Sequence, residues 1–242
     1  MSAVRALTFD VFGTLVDWRS SISDQLRVFF ESSAVAVNVP DETDWDAVAQ
    51  DWRACYQPSM EEVRSGDRPF VILDVLHRES LVKTLEAHAL VGLDNDQLDK
   101  LTLFWHRLDA WPDVPAGLKR LRSQYTLAAL SNGNARLLKS LATYADLPWH
   151  VSLGAEATQS YKPQKRTYLH TAAMLTLDPS QCMMVAAHNE DLYAARELGF
   201  KTAYVNRPTE YGHRQTKDFG PESDWDYSVE SLIELADSLI SG

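Results

Sequence analysis

Three ionisable side chains of this chain stand where local pattern signals end and turns begin: Asp10, Lys162 and Asp191. Asp10 closes the short apolar run Ala6-Leu-Thr-Phe9, and Gly13-Thr14 follows three residues later. A carboxylate at the carboxyl end of a buried strand is costly to desolvate unless cations or N–H donors surround it. Gly13 lets the chain fold back so that backbone N–H groups can face the carboxylate. This is a setting in which an Asp acts as a covalent nucleophile. Phe12, two residues on, carries no proton and so restricts the leaving group. Taken alone, a strand-end Asp is more often a turn former or a helix cap.

Further motifs stand beside other predicted elements. Ser131-Asn132-Gly133 lies between an apolar run and a helix, where a hydroxyl, an amide and the first helical N–H groups can hold an anion; the bland alternative is an N-cap turn. Tyr161-Lys162-Pro163 precedes a helix that Pro163 would start. An ammonium there would keep a nearby carboxylate ionised, although most loop lysines are solvated surface charges. His188-Asn-Glu-Asp191 follows Met183-Met-Val-Ala-Ala187, and an acidic residue at such a junction can orient water or bind Mg²⁺. Helix capping by Asp191 is the structural alternative. His188 has no second His at ligand spacing, which favours a hydrogen-bonding role. Each motif is weak alone, and their joint order along the chain is a strong signal.

The elements that must position these residues divide the chain in two. After about residue 112, apolar strands alternate with amphipathic helices: strands over 125–130, 183–187 and 202–206, helices over 134–144 and from Asp191 to a C-cap at Gly199. This predicts an α/β fold, a Rossmann-like parallel sheet with helices on both faces and ligands beyond the carboxyl ends of the strands. Residues 18–111 carry Trp45, Trp52 and Trp105 and helical apolar spacing, and predict a helical cap inserted after the first strand. The expected domains are a catalytic core of 1–17 and 112–242 and a cap of 18–111. A closing helix is predicted over 228–240.

The 242 residues suffice for a large core. A formal net charge of −11 argues against a nucleic-acid binder. Cys55 and Cys182 lie outside metal-like spacing and fit a reducing compartment. No apolar run approaches the ~20 residues that span a bilayer. The expectation is a soluble, cytoplasmic protein without nucleic-acid or membrane partners.

In order, Asp10-x-Phe-Gly-Thr14, Ser131-Asn132, Lys162-Pro163 and the turn at Asp191 resemble the four motifs of the haloacid dehalogenase superfamily. The wording Phe9-Asp-Val-Phe-Gly-Thr-Leu-Val-Asp17 is most similar to its L-2-haloacid dehalogenase (type II) branch. That resemblance implies hydrolysis of short 2-haloacids (haloacetates, fluoroacetate among them, and 2-halopropionates) to 2-hydroxyacids through an aspartyl ester, with no cofactor and no metal. It implies that Asp10 attacks the halogen-bearing carbon, that Thr14, Ser131 and Lys162 stabilise carboxylates, and that Asp191 activates water. Arg53, in the Trp52-Arg53 pair, and Asn132 would bind halide. Val11, Phe12, Tyr56, His188 and Asn189 are further candidate substrate- or halide-binding residues. Family members are often dimers, so a homodimer is expected, although no residue marks its interface.

The leaving group separates the branches of the superfamily. A leaving alkoxide needs a proton, which phosphatases of the superfamily usually supply from a second Asp two residues after the nucleophile; halide needs none, and Phe12 stands at that position. In the fourth motif, Ala186 and His188 stand where the branch usually has Ser and Asn. The competing expectations are a Mg²⁺-dependent phosphatase using Glu190 and Asp191, betrayed by metal-dependent phosphate release, and a non-catalytic member that binds a small anion or a partner. The retained Asp10, Lys162 and Asp191 argue against the latter.

Overall fold

A computed structural model describes residues 3–32, 37 and 39–240. Among them run strands β1 (Ala6–Phe9), β2 (Val16–Asp17), β3 (Asp109–Ala110), β4 (Thr126–Ser131), β5 (Val151–Gly154), β6 (Cys182–Ala186), β7 (Lys201–Val205) and β8 (Tyr227–Val229). The helices are α1 (Trp18–Glu31), α2 (Trp45–Ala54), α3 (Tyr56–Arg64), α4 (Leu73–Ala87), α5 (Asn95–Thr102), α6 (Val114–Leu121), α7 (Ala135–Tyr144), α8 (Ala155–Thr158), α9 (Lys165–Met174), α10 (Asn189–Glu197) and α11 (Leu232–Ile240).

Six strands form one parallel sheet in the order β5-β4-β1-β6-β7-β8. Side chains alternate between its faces with period two. Leu7, Phe9, Leu127, Ala129, Met183 and Val185 pack on one side with Leu118 of α6, Leu137 and Leu141 of α7 and Leu235 of α11. Ala6, Leu130, Met184 and Ala186 join Tyr168 and Ala172 of α9 and Leu192 and Ala195 of α10 on the other. Burial on both faces explains why these strands read as unbroken apolar runs. The strand order reverses at β1, so its carboxyl end opens at the switch point of the sheet, where ligands bind in such folds.

The edges were less legible. β8 occupies Tyr227–Val229, so the helix expected from Ser228 begins at Leu232. β5, on the opposite edge, was not predicted. Both strands are short and half-exposed, and neither presents a continuous apolar run. Between β2 and β3, α1 to α5 gather around Trp18, Trp52 and Trp105, each at most 1% exposed. Trp52 and Trp105 meet edge to face at 5.4 Å, and Trp105 reaches Phe12 at 6.1 Å, carrying the helical core up to the end of β1. The antiparallel pairing of Val16 with Ala110 and of Asp17 with Asp109 ties together the two ends of this helical segment. No helix among the described residues is long and apolar enough to cross a membrane.

Candidate active site

β1 delivers Asp10 to the floor of a cavity of about 760 Å³ between the strand ends and the helices α2 and α3. The turn behind it is fixed by sterics: Gly13 has φ +87°, and a Cβ there would lie 2.1 Å from Glu210 Oε1. The Thr14 hydroxyl donates to Asp10 Oδ2 at 2.7 Å and accepts the Ala187 N–H at 2.9 Å, which ties the ends of β1 and β6 together.

Lys162 enters from the loop before α9. Its Nζ donates to Asp10 Oδ1 at 2.7 Å and to Asp191 Oδ2 at 2.5 Å, and all three side chains are 9% exposed. Asn132 steers this loop by accepting the Lys162 backbone N–H on Oδ1 at 2.7 Å. Burial by itself would raise the pKa of Asp10, but Lys162 and His188 outweigh it and hold the carboxyl far below the usual range. Asp191 moves the other way. Burial, with the charge of Asp10 added, raises it above the ordinary value despite Lys162 and a hydrogen bond from Tyr168. The site thus holds one carboxylate that stays ionised and one that can take up a proton, the division of labour expected of a nucleophile and a general base.

The cap-side wall carries Arg53, whose guanidinium lies 3.9 Å from the Tyr56 ring centroid and 5.5 Å from that of Trp18. It makes no salt bridge to any carboxylate among the described residues, and its buried Nε finds no hydrogen-bond partner. A cation held by ring faces and turned into a cavity is equipped to receive an anion. Tyr56 and Gln57, from the stretch Tyr56–Met60, also line the cavity.

Of the residues expected at the site, Asp10, Phe12, Arg53, Tyr56, Asn132, Lys162, His188 and Asp191 line this one cavity, and Thr14 touches Asp10 from behind. Asn189, Val11 and Ser131 are not among the residues lining the cavity. Asn189 is turned away: its side chain bonds Asp218 and the Gly220 carbonyl and accepts the Trp225 indole N–H, fastening the 206–225 loop to α10. The Val11 side chain is 1% exposed and packs in the core. The Ser131 hydroxyl, expected on a carboxylate, accepts the Gly133 N–H and stiffens its own turn. Glu190 lies at the exposed rim, 3.8 Å from Lys217, while Asp191 faces inward.

The sequence reading missed Tyr168 and Glu210. The Tyr168 hydroxyl donates to Asp191 Oδ1 at 2.5 Å. Its position on the helix after Lys162-Pro163, which begins at Lys165 and not at Pro163 as expected, was a weak signal, since a buried Tyr needs a partner for its hydroxyl. Glu210 sits in a loop with no motif around it, and nothing local announced it. Among the described residues no group of three His, Cys, Asp or Glu side chains is placed to hold a metal ion.

A parallel sheet with an Asp at the end of its central strand, a Lys bridging it to a second acid, and a helical segment between β2 and β3 define an α/β fold with a buried carboxylate–ammonium–carboxylate site at the strand ends. Residues 4–199 match the family model described as a haloacid dehalogenase-like hydrolase. The chain is 30% identical over 241 residues to (S)-2-haloacid dehalogenase 4A of Burkholderia cepacia, with 97% of this chain and 94% of the relative covered. A crystal structure of an L-2-haloacid dehalogenase superposes with a TM-score of 0.93 at 43% identity, covering 99% of this chain and 100% of that one. A defluorinating L-2-haloacid dehalogenase gives a TM-score of 0.93 at 42% identity, with coverage of 98% and 95%. The chain belongs to the haloacid dehalogenase-like hydrolase family.

Proposed function

We propose that this protein hydrolyses short 2-haloacids to 2-hydroxyacids, a hydrolase acting on carbon–halide bonds through an ester of Asp10. The observation that carries the reading is the triad Asp10–Lys162–Asp191 facing a recessed Arg53 that forms no salt bridge among the described residues. Asp10, ionised by Lys162, attacks the carbon bearing the halogen. Halide leaves with the bonding pair toward Arg53 and Asn132 and needs no proton, in keeping with Phe12 where an acid would otherwise stand. Asp191 then takes a proton from water as that water attacks the ester carbon of Asp10. The names of the (S)-2-haloacid relatives support the (S) isomer as substrate, and the defluorinating relative supports fluoroacetate as one member of the set. In this reading residues 18–111 form a cap that closes the cavity, the core is 1–17 with 112–242, and the enzyme works as a cytoplasmic homodimer.

The test is halide release from chloroacetate, fluoroacetate and L-2-chloropropionate in the presence of EDTA, beside Asp10→Asn. We predict release that survives EDTA and falls by more than about 10³-fold in the variant, the scale on which loss of a nucleophile is felt. Equal release by the variant, or none by the native protein, would refute the reading.

A further inference from the structure

Each nitrogen of the His188 ring faces a carboxylate. Nδ1 lies 3.2 Å from Asp10 Oδ2, and Nε2 lies 3.0 Å from Glu210 Oε2. A carboxylate accepts hydrogen bonds and does not donate them, so this pair of neighbours favours the imidazolium, the form that offers a proton to each. Glu210 is 1% exposed, and its Oε1 accepts the Trp18 indole N–H at 2.9 Å while its carboxylate fills the space above Gly13. The charged groups around the ring are Asp10 and Glu210 in direct contact, Lys162 and Asp191 beyond Asp10, and Arg53 bearing on Glu210 from α2. Burial disfavours the cation, but the two carboxylates outweigh it and raise the His188 pKa well above its ordinary value.

The two oxygens of Asp10 are therefore unequal. Oδ2 accepts the Thr14 hydroxyl and faces His188 Nδ1, whereas Oδ1 accepts from Lys162, whose ammonium is shared with Asp191. We propose that His188, held by Glu210 and Trp18, pairs with Thr14 to reserve Oδ2 as the carbonyl oxygen of the ester, leaving Oδ1 to attack and giving the hydrolytic step its oxyanion hole. This rests on the dehalogenase reading above. In the first step the Oδ1–carbon bond forms as the carbon–halogen bond breaks, and halide carries off the electron pair. In the second, a water oxygen bonds to Asp10 Cγ, one proton goes to Asp191, and the carbonyl π pair moves onto Oδ2 between the two donors. Collapse breaks the Cγ–Oδ1 bond, the leaving alkoxide takes the proton back from Asp191, and the remaining water proton goes to solvent as Asp10 re-ionises. A charged donor at Oδ2 acts on the second step, because negative charge grows there only during hydrolysis. His188 is catalytic in this scheme; Glu210 and Trp18 are positioning residues.

The experiment is rapid-quench turnover of L-2-chloropropionate, with chloride, lactate and the protein-bound ester measured separately. His188→Ala is expected to keep a chloride burst while ester hydrolysis slows by about 10²–10³-fold, so that ester accumulates. Glu210→Gln removes one of the two carboxylates that keep the ring charged against burial, so the His188 pKa falls and hydrolysis should weaken as pH rises through it. Glu210→Asp should restore the native pH profile. Chloride and lactate falling together in His188→Ala, without ester, would overturn the proposal, as would a native pH profile in Glu210→Gln. Imidazole ¹⁵N spectra of the resting protein test the dyad without turnover: a doubly protonated His188 at pH 8 supports it, and a neutral ring overturns it. Native protein that shows the imidazolium yet releases no chloride would overturn the assigned step through failure of the dehalogenase reading, leaving the dyad itself established.

Discussion

Tyr168 and Lys162 pull Asp191 in the same direction. Each donates to a different oxygen of that carboxylate and favours its charged form, against burial and the nearby charge of Asp10. A general base works only when ionised, so activity should disappear as pH falls through the raised pKa of Asp191. Removing the hydroxyl with Tyr168→Phe takes away one of the two supports and raises that pKa further. We predict that the acidic limb of the kcat–pH profile moves to higher pH in Tyr168→Phe, with kcat on the plateau changed less than at pH 5. A limb that stays in place would mean that Asp191 is not the titrating base. At this scale the sequence was informative about residues fixed by their neighbours in the chain. Asp10, Lys162 and Asp191 each follow a local signal, whereas Asn189 and Glu210 are aimed by partners far away in sequence.

At the scale of elements, the approach of the β5 end to the turn after β4 sets the position of Asn132. Gly154 is paired beside Ser131, and a Cβ on it would lie 2.1 Å from the Gly133 carbonyl oxygen. Gly154→Ala must therefore push the Ser131–Gly133 turn away, and overpacking of this kind costs about 1–3 kcal/mol. Asn132 moves with the turn, and its hold on the Lys162 backbone loosens. The predicted outcome is lower stability in urea unfolding together with a fall in kcat, although Gly154 does not line the cavity. Unchanged kcat would show that the turn tolerates the shift. One residue beyond Gly133, Asn134 accepts the Asp74 backbone N–H at 3.2 Å and donates to the Asp74 carboxylate at 3.1 Å, joining the turn to α4. The strand ends were legible because central strands are apolar throughout; the edge strand that presses on them was not, because it is half-exposed and presents no continuous apolar run.

For the molecule as a whole, Arg207 gathers four segments of the chain. Its guanidinium forms a two-pronged pair with Asp113 at 2.9 Å on each arm, and its Nε donates to the Thr14 carbonyl at 2.9 Å. Asp113 in turn accepts the Leu232 N–H at the start of α11. Arg207→Met would leave Asp113 without its partner, and breaking a largely buried pair costs about 3 kcal/mol, to be read by urea unfolding at pH 7. Although partial burial opposes it, the Arg207 interaction sets the Asp113 pKa below its ordinary 3.8. A depressed carboxylate contributes stability above its unfolded pKa and loses it as pH falls through the folded value. The stability difference between native protein and variant should therefore narrow below about pH 4; a constant gap down to pH 2 would contradict this account.

The sequence by itself determined the strand–helix alternation and the identity of the three strand-end or loop residues that meet in the cavity. These follow from side-chain period and turn chemistry, which act over a few residues. Only the tertiary structure decided that Asn189 serves a loop, that Tyr168 supports Asp191, and that Glu210 and Trp18 hold His188 against Asp10. Those contacts join residues from 22 to 192 positions apart, and a buried polar group takes whichever partner the packed chain brings within reach.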